Sequence, residues 1–88
     1  MAKFKIFSAS WCPNCVTLKK SFDDNNIPYE VVDCDTDEGM TEASAAGVRG
    51  LPVTHIIANG EVIRQVVGLQ PIAVFLPHVE KLSLEEAV

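Results

Sequence analysis

The 88 residues suffice for one domain, 1–88, around a single core, and 48% apolar against 22% charged residues, with no low-complexity run, argues against disorder. The formal net charge is −5, from 12 acidic and 7 basic side chains with no Lys/Arg cluster beyond Lys19–Lys20, which argues against nucleic acid or an anionic membrane surface as a direct partner. Three cysteines are an odd number for a structural disulfide framework, and the apolar start gives way at Ser8, too early for a signal peptide or a membrane helix, so a cytoplasmic location is expected.

Lys3 to Ser8, carrying Phe4, Ile6 and Phe7, is expected to form the first strand and to end in the small polar loop Ser8-Ala9-Ser10. A helix follows. Pro13 suits its first turn, where a missing N–H costs nothing, and Cys15, Leu18 and Phe22 recur at three- and four-residue steps as its buried stripe. Asp23 to Asn26 ends it, asparagine being tolerant of the left-handed conformation there. Pro28 to Cys34 reads as the second strand and completes a parallel strand–helix–strand unit. Thr36 is placed to cap a second helix running to about Ala46, with Asp37 and Glu38 complementing its dipole and Gly47 terminating it. Pro52 to Ala58 and Glu61 to Val67 flank Asn59-Gly60, the strongest short hairpin signal. Ile72, Phe75, Val79 and Leu82 return to helical spacing, and Pro77 either delays that helix or kinks it. The order β-α-β-α-β-β-α describes an α/β chain with one small mixed sheet.

The informative segment is Trp11-Cys12-Pro13-Asn14-Cys15, between a strand and a helix. A disulfide reductase needs two thiols close enough to bond and unequal in reactivity. Spacing of three across the first helical turn brings the side chains within disulfide reach. Placement at the helix start makes them unequal: Cys12 at the N-cap faces free N–H groups and the positive dipole end, while Cys15 lies one turn inside, buried and protonated. A free cysteine with a pKa of about 8.5 is only a few per cent thiolate at pH 7, whereas one near 7 is about half ionised. Cys12 is therefore the expected nucleophile and Cys15 the resolving thiol. Two other readings use the same residues. The pair could serve a zinc or iron–sulfur site, as a binding module that holds the metal through Cys12 and a partner chain. A structural zinc site wants four ligands, however, and only Cys34, His55 and His78 remain, none at ligand spacing. Both cysteines could also be inert core residues, which have no need of a strand–turn–helix junction.

With these residues in place, the chain resembles the thioredoxin/glutaredoxin superfamily over nearly its whole length. Trp before the first cysteine is thioredoxin-like, Cys-Pro-x-Cys after so short a leader is glutaredoxin-like, and Gly47-Val48-Arg49-Gly50-Leu51-Pro52-Val53-Thr54 resembles the thioredoxin segment entering the third strand, with the likeness continuing through Asn59-Gly60-Glu61-Val62 to Val67-Gly68. The resemblance implies a thioredoxin fold, a four-stranded mixed sheet flanked by helices, and a dithiol–disulfide oxidoreductase without a bound cofactor. It implies a cis Leu51–Pro52 bond facing the pair, with the backbone of Leu51 pairing to an extended substrate segment. Trp11, Pro13 and Gly68 join Leu51 and Pro52 as expected substrate contacts. Implied partners are disulfide-containing proteins, ribonucleotide reductase among them, and thioredoxin reductase or glutathione as reductant, glutathione then being a co-substrate. The expected potential falls between about −270 and −200 mV. Two positions depart from the family pattern. The buried Asp of the thioredoxin branch is matched by Ile6, and the Gly-Gly and acidic stretch of glutathione-using glutaredoxins by Val67-Gly68-Leu69-Gln70.

Among the remaining residues, Cys34 reads as a small buried hydrophobe, not a third redox centre, and His55 and His78 as structural or solvated. Lys19 and Lys20 read as a solvated helix face. Asp33, Asp35 and Asp37 alternate like the start of a calcium loop, but the sixth position is Glu38 where glycine is required and the twelfth is Ser44 where glutamate is required, so the acidic cluster is assigned to the helix entrance.

Overall fold

The computed structural model describes residues 2–79. Four strands form one mixed sheet in the order β2-β1-β3-β4: β1 (Ala2–Ser8), β2 (Glu30–Asp33), β3 (Val53–Ala58) and β4 (Glu61–Val67). Helix α1 (Pro13–Asp24) carries the crossover from β1 to its parallel neighbour β2, and α2 (Asp37–Ala45) connects β2 to β3, which runs antiparallel to β1. Asn59 and Gly60 both take positive φ, 55° and 79°, as a two-residue type I′ hairpin between β3 and β4 requires. The register slips between Ile56, opposite Arg64, and Ile57, opposite Val62, so Ile63 is the extra residue of a β-bulge.

Strand alternation divides the core. Phe4 and Ile6 point to one face and pack with Leu18 and Phe22 of α1 and with Phe75; Phe7 points to the other and packs with Val32, Ala43 and Val53 beneath α2. The stripe expected on α1 is the one that is buried, Cys15, Leu18 and Phe22. Gly47 follows α2 with φ 74°, and Asn26 follows α1 with φ 56°, the left-handed endings expected there.

One expectation is corrected in detail, and the alternative left open at Pro77 is decided. The second strand is shorter than Pro28 to Cys34, because the Ile27 N–H still bonds to the Phe22 carbonyl at 2.9 Å and the chain is closing the helix end there. At Pro77 the helix is delayed: a 3-10 turn occupies Ile72–Val74, and α-helix begins only at 76, which puts Pro77 in the first turn where its missing N–H breaks no bond. This final helix, α3, is described from 76 to 79; Leu82 lies outside the described residues.

Thr36 caps α2, its hydroxyl accepting the Gly39 N–H at 3.0 Å. Gly39 is buried against the end of β2, where a Cβ would run into the carbonyl oxygen of Asp33. Gly39→Ala is therefore expected to destabilise by about 1–2 kcal/mol, overpacking outweighing the gain in helix propensity. A urea midpoint equal to or above that of the parent would contradict this packing.

Candidate active site

The cysteine pair sits where β1 stops and α1 starts. Cys12 takes extended backbone angles, φ −99° and ψ 104°, and forms the N-cap, with Pro13 beginning the first turn. Its own N–H donates to the Ala9 carbonyl at 3.2 Å and its carbonyl accepts the Val16 N–H at 3.3 Å. The Cys15 N–H donates to Cys12 Sγ at 3.2 Å, so the sulfur fills the place that a serine or aspartate oxygen takes in most helix caps. The two sulfurs are joined as a disulfide, with Cα atoms 5.3 Å apart. Cys12 retains 5% exposure and Cys15 none. A donor N–H and the positive end of a helix both favour negative charge on the outer sulfur and leave the inner one unassisted.

Leu51 and Pro52 lie against this pair. Their peptide bond is cis, as the family resemblance implied, and Leu51 packs on Ala9, Cys12 and Cys15. The Gly68 N–H donates to the Pro52 carbonyl at 2.8 Å, tying the end of β4 to the same loop. Gly68 has φ 82°, a conformation that favours glycine, and apart from its chain neighbours no atom of the described residues lies within 4 Å of the place its Cβ would occupy. Trp11 is 70% exposed beside the pair. A groove of about 520 Å³ runs from Trp11 past Met40 and Ala43 of α2 to Val48, Arg49 and Leu51. The structure thus brings together Trp11, Cys12, Pro13, Cys15, Leu51, Pro52 and Gly68 from three separate parts of the chain.

Sequence reasoning missed Asp35. Its Oδ2 accepts the Ser10 N–H at 2.9 Å and so joins the loop before Trp11 to the end of β2. The Ser10 N–H, then its hydroxyl, and more weakly the Trp11 indole and Asp33 hold the Asp35 carboxyl below the usual carboxylate range. No local pattern marks a contact between residues 25 apart. Asp33 Oδ1 accepts the Asp35 N–H at 2.9 Å, so the carboxylates of Asp33 and Asp35 both serve backbone groups. Among the described residues no group of three or more His, Cys, Asp or Glu is arranged to hold a metal ion.

Cys34 is half-buried against the Phe7–Val53 cluster, and burial pushes its thiol up from the ordinary cysteine range. His55 is structural: Nε2 pairs with Gln65 Oε1 at 2.9 Å and the ring meets Phe7 edge-on at 4.8 Å. His78 Nε2 lies 3.5 Å from Arg64 Nη1. No helix among the described residues is long and apolar enough to cross a membrane.

A four-stranded mixed sheet whose first strand delivers a Cys-x-x-Cys pair to a helix N-terminus opposite a cis-proline defines a thioredoxin-fold dithiol–disulfide oxidoreductase. A family model described as Glutaredoxin matches residues 4–63. A thioredoxin from Griffithsia pacifica is 32% identical over 79 residues, spanning 85% of this chain and 72% of that protein. One from Synechocystis is 33% identical over 79 residues, spanning 85% and 74%. The solved structure of a mutant thioredoxin from Halobacterium salinarum superposes with a TM-score of 0.78 at 31% identity, covering 91% of this chain and 73% of that one. The chain belongs to the thioredoxin/glutaredoxin superfamily and is a thiol–disulfide oxidoreductase, acting on disulfide-containing proteins and served by a reductase partner.

Proposed function

We propose that Cys12 attacks the substrate disulfide and Cys15 resolves the product. The observation that carries this assignment is the N-cap: the Cys12 sulfur accepts the Cys15 N–H at 3.2 Å, while Cys15 itself is fully buried. In the first step the Cys12 thiolate bonds to one substrate sulfur and the other leaves with the electron pair. In the second, Cys15 attacks Cys12 Sγ, the bond from Cys12 to substrate breaks, and the oxidised pair remains. The substrate gains two electrons and two protons, and the dithiol loses them. Electrons pass through sulfur alone, so the exchange needs no bound cofactor.

Trp11, Pro13, Leu51, Pro52 and Gly68 form the surface on which the substrate segment lies. Among the described residues, neither the N–H nor the carbonyl of Leu51 has a hydrogen-bond partner, which leaves both free to pair with an extended chain. A reductase of the thioredoxin-reductase type recycles the pair in preference to glutathione. Support comes from the thioredoxin relatives and from Val67-Gly68-Leu69-Gln70, which lacks the Gly-Gly and acidic stretch of glutathione-using glutaredoxins. Ribonucleotide reductase is a substrate the family likeness implies, and the cytoplasm is a compartment where such a pair is kept reduced.

One coupled assay discriminates the reductants. Insulin reduction is followed by NADPH oxidation, first with thioredoxin reductase and then with glutathione and glutathione reductase. Turnover is expected with the first system and only the uncatalysed rate with the second. The reverse pattern would assign glutathione.

A further inference from the structure

Two hydroxyls on the α1 side of the sheet have no hydrogen-bond partner among the described residues. Ser8 Oγ and Thr54 Oγ1 are buried, their residues 2% and 0% exposed, and neither makes a hydrogen bond among the described residues. A buried hydroxyl left unpaired opposes folding, and native chains satisfy nearly all such groups.

Their positions share a direction. Ser8 ends β1 on the same side as Phe4 and Ile6, the side that faces α1, and Thr54 stands directly across from Ile6 in the β1–β3 ladder. Along α1, Phe22 meets Phe4 with ring centres 5.4 Å apart, and Leu18 joins Ile6 in the same cluster. One helical turn advances about as far as two strand residues, so the next turn brings Cys15 level with Ser8. The neighbours agree. Ala9, next to Ser8, belongs to one buried cluster with Cys12 and Cys15, and Leu51, three residues before Thr54, packs against that cluster. Ser8 also lines a small cavity together with Lys19, one turn beyond Cys15 on α1.

We propose that Ser8 and Thr54 are positioning residues for the resolving thiol: in the reduced protein their hydroxyls donate to Cys15 Sγ, hold its thiolate and aim it at Cys12. This rests on Cys12 being the attacking thiol. In the resolving step Cys15 Sγ, having given up its proton, bonds to Cys12 Sγ. The bond between Cys12 and the substrate sulfur breaks, and that sulfur leaves with the electron pair and takes up a proton. The residue opposite Ile6 across the β1–β3 ladder is Thr54, so both donors are neutral hydroxyls on the face of the sheet that α1 covers.

Stopped-flow reaction of the reduced protein with dithiobis-nitrobenzoate separates the two steps, in a Cys34→Ser background so that only the pair reports. Attack by Cys12 releases one thionitrobenzoate and resolution by Cys15 releases a second. The Ser8→Ala, Thr54→Val double variant is expected to keep the first rate and to slow the second by about tenfold or more, the scale of losing hydrogen bonds to a charged sulfur. Thr54→Ser, which keeps the hydroxyl, should retain the parental second rate. The thermal midpoint of the double variant should stay level or rise, since it removes unpaired polar groups. If that variant does not fold, Thr54→Val alone is judged by the same two phases. An unchanged second phase, or an equal fall in both, overturns the inference. Absence of the first release from the parent protein instead overturns the assignment of Cys12, and this inference with it.

Discussion

In a Cys12→Ser variant, disulfide reductase turnover is expected to fall to the uncatalysed rate while the fold is kept. Serine is among the best N-cap residues, so its oxygen can take the Cys15 N–H that the sulfur now accepts at 3.2 Å, and α1 retains its start. A serine hydroxyl stays protonated at neutral pH and forms no disulfide, so the first covalent bond to substrate cannot be made. Cys15→Ser should behave differently. Attack by Cys12 remains, but the buried partner that displaces the substrate is gone, and a mixed disulfide accumulates. Insulin reduction, far-UV circular dichroism and intact mass read these outcomes. The first variant should give native dichroism without turnover. The second should give one covalent adduct that an added thiol removes. Full turnover by Cys12→Ser, or an adduct through Cys12 that clears unaided in Cys15→Ser, would remove the two-step assignment.

The largest effect on stability is expected at Phe22. Its side chain is fully buried on α1 and meets Phe4 at 5.4 Å, Phe75 at 4.9 Å and Tyr29 at 5.5 Å between ring centres. It therefore joins β1, α1, the approach to β2 and the C-terminal segment at one point. Truncation to alanine removes the ring and leaves a cavity between elements that cannot all close on it, a loss of about 3–5 kcal/mol. Total stabilities are roughly 5–15 kcal/mol, so Phe22→Ala should lie close to the unfolding threshold. The thermal midpoint of a chain this size is expected to drop by about 15–30 °C. Because Cys12 caps α1 and Cys15 lies in its first turn, reductase activity should disappear at the same lowered temperature as the helical dichroism. A midpoint within a few degrees of the parent would mean that the aromatic cluster is not the packed centre described above.

Much of this architecture is legible residue by residue, because the signals are local. Pro13 opens a helix, Thr36 caps one, Gly47 ends it, and Asn59-Gly60 turns a hairpin through dihedral preferences that span only a few residues. Three- and four-residue spacing marks the buried face of α1 in the same way, and the distance from Cys12 to Cys15 is one helical turn. These local signals determined the element order, the α/β class and the redox pair. Pro77 shows their limit. Its missing N–H rules out a helix interior, yet whether the helix bends or starts late depends on how Phe75 seats against Phe4 and Phe22. Only the tertiary structure decided that Asp35 would hold the Ser10 N–H from 25 residues away, that Met40 and Arg49 would line one groove with Trp11, and that the Ser8 and Thr54 hydroxyls would be buried without a hydrogen-bond partner among the described residues. Those contacts form when the strands order themselves as β2-β1-β3-β4 and bring distant loops to one end of the sheet. No stretch of chain carries them in its own periodicity, because each is set by the burial of surfaces that meet only after the sheet is assembled.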